Sequence, residues 1–289
     1  MNKIIDTEKV NIWPDNIHTG KIKFYEGYKE MCEPFDYVNW KPQLACASFE
    51  TMVHYCTPEE HAWLCVMLAQ QDEGIFNMHK AAIASLDGIF AKALERFPEG
   101  LIVKVGLRSP KDSWYGMGLA RNQPGNHSTA ILKTVKDIKN ILYDSERIYE
   151  DANAFRENGM QLTIQFRKAA FIQPLEEWRC FWFNGRLRAI SQYYYSGQHV
   201  FEWPPTSSVI AIRTLVNGVG QWLPNNAIVD VWVPPIESPT VIEINPYFKS
   251  DPCLFDYEKD KDILSGKFKS VVVRYFTKRM VEIAIKNGN

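Results

Sequence analysis

The chain has 289 residues, 46% of them hydrophobic, and its 33 basic and 34 acidic residues leave a net charge of −1. This composition supports a large buried core, in two lobes or one large α/β unit. It excludes disorder and any global field that would favour nucleic acid or an anionic membrane. No apolar run approaches the roughly 20 residues that span a bilayer, and the opening MNKIIDTEKVNIW lacks the apolar core of a secretory signal, so a cytoplasmic protein is expected.

Residues 1–50 are rich in aromatics and prolines and carry few periodic signals, so an irregular packed segment is expected there. Thr57-Pro58-Glu59-Glu60 then marks a helix start, with Thr57 as cap, Pro58 at the first helical position and Glu60 closing a capping box. Trp63, Leu64, Met67 and Leu68 form its buried face. A second helix over 75–97 places Ile75, Met78, Ala82, Ile83, Leu86, Phe90, Leu94 and Phe97 inward, and Pro98 with Gly100 stops it. His54, His61 and His79 lack ligand spacing and read as satisfied or surface histidines. The six cysteines, with no Cys-x-x-Cys pair, read as reduced, buried thiols rather than a zinc or disulfide framework.

Leu101 to Leu107 reads as a strand in which Lys104 interrupts a β-branched run. A buried ammonium needs an anionic partner, either a structural carboxylate or a bound phosphate. The loop that follows, Arg108-Ser109-Pro110-Lys111-Asp112-Ser113-Trp114, is dense in ionic groups. Residues 128–157 read as amphipathic helix, with Ile131, Leu132, Val135, Ile138 and Leu142 on the buried face and Lys133, Lys136 and Lys139 on the wet one. Beyond Gly159 the chain takes strand character at 161–172, at 177–183 and after the Asn184-Gly185 turn, a strong hairpin signal. Glu177 and Arg179 share a strand face, either as an ion pair or as a grip on a ribose and a phosphate. A helix over 206–222 follows, and Lys261 to Ile285 reads as a strand or helix pair.

Between these lies IVDVWVPPIESPTVIEIN, residues 228–245, two β-branched runs about a six-residue link with three prolines. Pairing Val233 with Thr240 sets Asp230 opposite Glu243, with Asn245 on the same face, and leaves Val229, Val231, Val233, Ile242 and Ile244 on an apolar face. Two opposed carboxylates repel. A divalent cation such as Mg²⁺, which takes hard oxygen ligands and keeps positions for phosphate and water, resolves that conflict; the competing reading is a solvated polar face.

Lysine strand, Glu-aromatic-Arg, Asp strand and Glu-x-Asn, in that order, resemble an ATP-grasp fold. More closely, VKVGLRSPKDSW (103–114), FRKAAFIQPLEEWRCFWFNGRLRAISQ (166–192) and VIEINPYFKSDPCLFDYE (241–258) resemble the cell division cycle protein 123 family. The resemblance implies a two-lobed α+β protein with antiparallel sheets flanked by helices, divided into a mostly helical lobe (1–100), a segment with the lysine strand, RSPKD loop and helices (101–160), and a C-terminal ATP-grasp lobe with hinge and metal-binding hairpin (161–289). It implies ATP and Mg²⁺ as ligands. Lys104 would reach the α- or β-phosphate, Arg167 and Lys168 would border the adenine, Glu177 would bind the ribose and Arg179 a phosphate. Asp230, Glu243 and Asn245 would hold the metal, and Arg108, Lys111 and Asp112 would lie near the γ-phosphate or a second substrate. The chain departs from the family pattern at Ala169 and Ala170, after the hinge lysine, and at Tyr193, Tyr194 and Tyr195, after AISQ.

Two functions follow from the resemblance. One is an ATP-dependent assembly chaperone, whose partner in eukaryotic members is the γ subunit of translation initiation factor 2. The other is an ATP-dependent carboxylate–amine ligase acting through an acylphosphate, chemistry that relies on positioning more than on a protein nucleophile.

Overall fold

The computed structural model describes residues 28–69, 72–123, 130–194, 199–247 and 250–278. Its helices are α1 (Tyr28–Cys32), α2 (Pro42–Cys46), α3 (Pro58–Leu64), α4 (Glu73–Met78), α5 (Lys80–Arg96), α6 (Trp114–Arg121), α7 (Val135–Tyr143), α8 (Glu146–Glu157), α9 (Thr206–Val219) and α10 (Lys261–Leu264). Its strands are β1 (Thr51–Tyr55), β2 (Leu101–Val105), β3 (Thr163–Lys168), β4 (Glu177–Phe183), β5 (Arg186–Gln192), β6 (Ala227–Trp232), β7 (Thr240–Pro246) and β8 (Val272–Arg274). They form a mixed α+β protein with antiparallel sheets flanked by helices. Among the described residues one sheet runs β1-β3-β2 and the other β7-β6-β4-β5-β8, with only β5–β8 parallel.

Local signals set most element starts. Thr57 and Glu60 make the reciprocal capping box at α3, and His54 and Ser85 complete the Glu60 carboxylate at 2.7 Å each. With Cys56, His54 and Glu60 bring three donor atoms within 4.8 Å of one another, but Glu60 is spent on the cap. His61 bonds the Ala152 carbonyl at 2.7 Å. The expected 75–97 helix is broken at His79 into α4 and α5, which throws Met78 into solvent, and Leu68 is exposed as well. The expected 128–157 helix is likewise two helices, because Ser145 starts a new cap at α8; residues 128 and 129 lie outside the described residues. The strand expected over 161–172 is confined to β3, and the 206–222 helix ends in a 3₁₀ turn. Of 261–285, α10 and β8 are seen, and 279–285 lie outside the described residues. All six cysteines are free, but Cys46 is exposed and Cys253 only partly buried, where burial was expected for all six.

The first sheet packs its Val103, Ile164 and Phe166 against α3, α5 and α8. The second is covered on both faces. Trp178, Cys180, Trp182, Val229, Val231 and Val241 meet α9 and the Trp40–Leu44 segment, while Phe181, Ala189 and Ile228 meet Tyr247, Phe255 and Leu264. Residues 47 and 48 close the β7 edge: Val241 N donates to the Ala47 carbonyl at 2.8 Å, and Ser48 Oγ to the Val241 carbonyl at 2.7 Å. An uncovered edge would be a template for another chain.

The β6–β7 register differs in one respect from the expected pairing. Asp230 stands opposite Glu243, but Thr240 pairs with Trp232 rather than Val233. The extra residue is Ile242, bulged out of the ladder, and a bulge swaps the faces of the residues beyond it. Val241 therefore joins the core and Ile242 turns to the cleft, the reverse of the unbroken alternation.

At the end of β2 the chain turns at Gly106, with φ of +55°. A Cβ there would lie 2.8 Å from Asp151 Oδ2 and 3.0 Å from the Phe155 ring. Gly106→Ala is expected to cost about 2 kcal/mol or more in urea unfolding, since left-handed backbone and a packed side chain must both yield. A variant as stable as the parent would show that the turn relaxes freely.

Candidate functional site

The two sheets face one another across a cleft, and the β2 lysine spans it. Lys104 Nζ donates to Glu243 Oε2 at 3.0 Å, with both side chains largely buried. Burial opposes the charge on each. At Glu243 the Lys104 and Lys111 ammonium groups prevail and hold the carboxyl well below its usual range. Burial, with Arg167 and Lys111 adding repulsion, draws the Lys104 ammonium down against the pull of Glu243. The ionic form is the one the geometry supports, because a short charge-assisted hydrogen bond joins the two. A second bridge comes from β3, where Arg167 Nη1 donates to the carbonyl of the bulged Ile242 and the guanidinium lies 5.8 Å from the Tyr37 ring.

Behind this pair lies a second ionic layer. Arg179 grips Asp230 with Nε at 2.8 Å and Nη2 at 2.7 Å, and its Nη1 reaches the Asp251 carbonyl at 2.6 Å. Burial works against the Arg179 charge, and Asp230 more than offsets it, so the guanidinium is raised. The same burial raises Asp230; two parallel hydrogen bonds to a fork of matching geometry keep the pair ionic. Arg179 therefore pairs with Asp230 across the ladder and not with Glu177 along its own strand. Glu177 is buried among Asp230 and Glu243. Burial pushes its carboxyl up to about 8, although Lys111 pulls the other way.

Asn245 stands between the two carboxylates, its Nδ2 3.1 Å from Glu243 Oε1 and 3.4 Å from Asp230 Oδ2. A donor in that position does what a cation would do, namely screen the two acids from each other. The amide's orientation is interchangeable, and turning it over presents Oδ1 to the same point. Two carboxylates and a carboxamide oxygen on neighbouring strands are the donor set a hard divalent cation takes, so the residues fit the ion.

Beside the Lys104–Glu243 pair opens a cavity that is continuous with solvent. Lys104, Lys111, Arg167, Lys168, Glu177 and Glu243 supply its polar wall, and Phe49, Ile102, Ala170, Ile172 and Ile242 its apolar wall. Sequence reasoning missed Phe49, which stacks on Trp232 at 5.6 Å and so fixes the lip of the cavity. Asp230, Arg179 and Asn245 lie behind the wall. Lys111 reaches in from the loop after β2, its Nζ 3.5 Å from the Tyr193 hydroxyl and 5.8 Å from that ring, while the Arg179 guanidinium sits 4.8 Å from the same ring. Tyr195 lies outside the described residues. The rest of the RSPKD loop is tied elsewhere. Arg108 pairs with Glu150 at 2.7 Å, and Asp112 accepts from Ser145 Oγ at 2.6 Å and from Arg147 N at 3.0 Å, holding the loop to the start of α8.

No curated protein matches the sequence. Among solved structures, Cdc123 from Schizosaccharomyces pombe is similar at 16% identity, with 85% of this chain and 96% of that one covered and a TM-score of 0.65. A C-terminally truncated form of the same protein aligns at 17% identity, with the same shares of the two chains and a TM-score of 0.63. These likenesses describe the fold, and the α+β arrangement of paired sheets is shared with them. Among the described residues no helix is long and apolar enough to cross a membrane. The D123 profile matches residues 68–287, most of the chain and all of the polar cavity wall, and the chain belongs to that family, the family of cell division cycle protein 123.

Proposed function

We propose that this chain binds ATP with Mg²⁺ in the cleft between its sheets, and that it acts as an ATP-dependent assembly chaperone for a protein partner. The observation that carries the nucleotide reading is the cavity itself. Its apolar wall of Phe49, Ile102, Ala170, Ile172 and Ile242 suits a flat base, and it adjoins the ammonium groups of Lys104 and Lys111, which suit a polyphosphate. In this reading Arg167 and Lys168 border the adenine and Glu177, protonated near neutral pH, donates to a ribose hydroxyl. Lys104 and Lys111 take phosphate oxygens. Arg179 serves the phosphate end indirectly by fixing Asp230. Asp230, Glu243 and Asn245 hold Mg²⁺, which when bound neutralises phosphate charge. Arg108 and Asp112 shape the loop that delivers Lys111.

The chaperone role draws on family membership, and for a eukaryotic source the partner is the γ subunit of translation initiation factor 2. Calorimetric titration with ATP, with and without Mg²⁺, is run beside an ADP-release assay. Metal-dependent binding without turnover, and capture of that γ subunit in a pulldown, is the expected result. Turnover stimulated by a small carboxylate and an amine would make the chain a ligase instead.

Lys104→Met and Glu243→Gln are each expected to abolish ATP binding, and each leaves a buried charge unpaired at a cost of about 3–5 kcal/mol. The double variant removes both charges and regains stability without regaining ATP. If it bound ATP as the parent does, the cleft would not be the nucleotide site.

Glu177 gives a pH test. Its folded value of about 8 lies above that of an unfolded glutamate, so the native state holds the extra proton. Its contribution is fully present below about pH 4.5 and is lost as pH rises toward 8, with a slope of up to about 1.4 kcal/mol per pH unit. Glu177→Gln is expected to flatten that fall in chemical denaturation between pH 5 and 8. A variant curve parallel to the parent's would mean that Glu177 is ionised throughout.

A further inference from the structure

The nucleotide reading asks Lys104 to meet a phosphate oxygen and Glu243 to meet a divalent cation, yet the fold joins the two to each other. Lys104 Nζ donates to Glu243 Oε2 at 3.0 Å, and both residues line the cavity. The other oxygen of Glu243 accepts from Asn245 at 3.1 Å. A cation entering from the cavity therefore competes with the Lys104 ammonium for the same carboxylate.

The two acids of the site differ in how firmly they are held. Asp230 has no exposed side-chain surface and lies behind the cavity wall, where Arg179 grips both of its oxygens. That guanidinium is fixed in turn by the Asp251 carbonyl at 2.6 Å and lies 4.8 Å from the Tyr193 ring. Glu243 keeps 17% of its side-chain surface exposed, and its ionic partner is one ammonium on a flexible stem. A lysine is a point charge with rotatable donors, so a single contact of this kind can be exchanged where a bidentate fork resists it. Of the two acids, Glu243 is the one that can change partners.

A divalent cation by itself has little to gain from that exchange. It would leave the largely buried Lys104 without its carboxylate, and it would sit among Lys104, Lys111 and Arg167, the last two of which already repel the first. A phosphate changes both conditions, because it offers the ammonium a new anion and offsets the repulsion. We propose that Lys104 is a resident counter-ion of the metal site, holding Glu243 until a phosphate draws the ammonium away, so that divalent cation and nucleotide bind cooperatively and the cation binds poorly alone. The competition at Glu243 stands on the ion pair, and the identity of the phosphate rests on the nucleotide reading above. Coupling of this kind is reciprocal, each ligand raising the affinity for the other by the same factor.

Mn²⁺, a paramagnetic stand-in for Mg²⁺, is titrated without nucleotide and its binding followed by electron paramagnetic resonance. The parent, Lys104→Arg, Lys104→Gln and Lys104→Met are compared, with folding checked by circular dichroism. The expected result is Mn²⁺ affinity about 10-fold or more above the parent's for Lys104→Gln and Lys104→Met, and no gain for Lys104→Arg, which keeps the charge. Adding Glu243→Gln to either neutral variant should abolish the gain. Lys104→Gln can still donate a hydrogen bond to Glu243, so it serves where Lys104→Met fails to fold. A neutral variant that folds only with Mn²⁺ counts as the expected gain, and one that Mn²⁺ does not rescue counts against it. Equal affinity in the parent and the neutral variants, or a gain that survives Glu243→Gln, would overturn the proposal. The phosphate half is tested on the parent, whose complex with ATP should bind Mn²⁺ more tightly than free ATP does, because the released Glu243 adds a ligand. Affinity no greater than that of free ATP would overturn the cooperativity. A parent that binds no ATP, beside Lys104 variants that gain Mn²⁺, would reject the nucleotide reading and still support Lys104 as the counter-ion.

Discussion

Lys104 and Glu243 lie 139 residues apart, on strands of different sheets, and join across the cleft at 3.0 Å. Neither charge is tolerable where it sits without the other. Removing one partner of a buried pair is far more costly than the pair's net contribution to stability, so the contact acts chiefly as a constraint on how the two sheets meet. The rest of the site is arranged around that constraint. Arg167 makes a parallel crossing to the bulged Ile242, Asn245 takes the free oxygen of Glu243, and Lys111 adds a second positive charge that keeps Glu243 ionised.

The bulge at Ile242 is the device that makes both crossings possible. An unbroken ladder would bury Ile242 in the core and turn Val241 outward. With one residue displaced, Val241 packs with Val229 and Val231, Ile242 joins the apolar wall of the cavity, and its carbonyl is released to Arg167. A single extra residue thus supplies a contact for a flat ligand and an acceptor for a cation, while Asp230 stays opposite Glu243. The N-terminal segment finishes the same edge: residues 47 and 48 occupy the outer side of β7, and Phe49 continues from them onto Trp232.

The charges of the cleft are layered rather than pooled. Asp230 is neutralised at depth by Arg179, in a bidentate pair that water does not reach. Glu177, lacking such a partner, responds by holding its proton. Lys111 faces three acids and rests against Tyr193, without a carboxylate close enough for an ion pair among the described residues. Positive groups thus face the cavity, Glu243 in its wall is paired with Lys104, and Asp230 is satisfied behind it, which is the polarity a phosphate ligand needs.

Much of this was legible before folding. The cap at Thr57, the Asn184-Gly185 turn and the placement of Asp230 opposite Glu243 depend on residues close in the chain, where alternation and turn chemistry act directly. The breaks at His79 and Ser145 and the bulge at Ile242 were not, because continuous apolar spacing does not reveal where packing interrupts an element. Nor was the choice of partners. Sequence paired Arg179 with Glu177 or with a ligand, and left Lys104 needing an anion that it did not identify; the tertiary structure gave Arg179 to Asp230 and Lys104 to Glu243. The reason is physical. Periodicity and capping are properties of a local backbone, set by neighbours a few residues away. The pairing of buried charges is instead a competition, decided by which strands lie side by side and which groups lose their water.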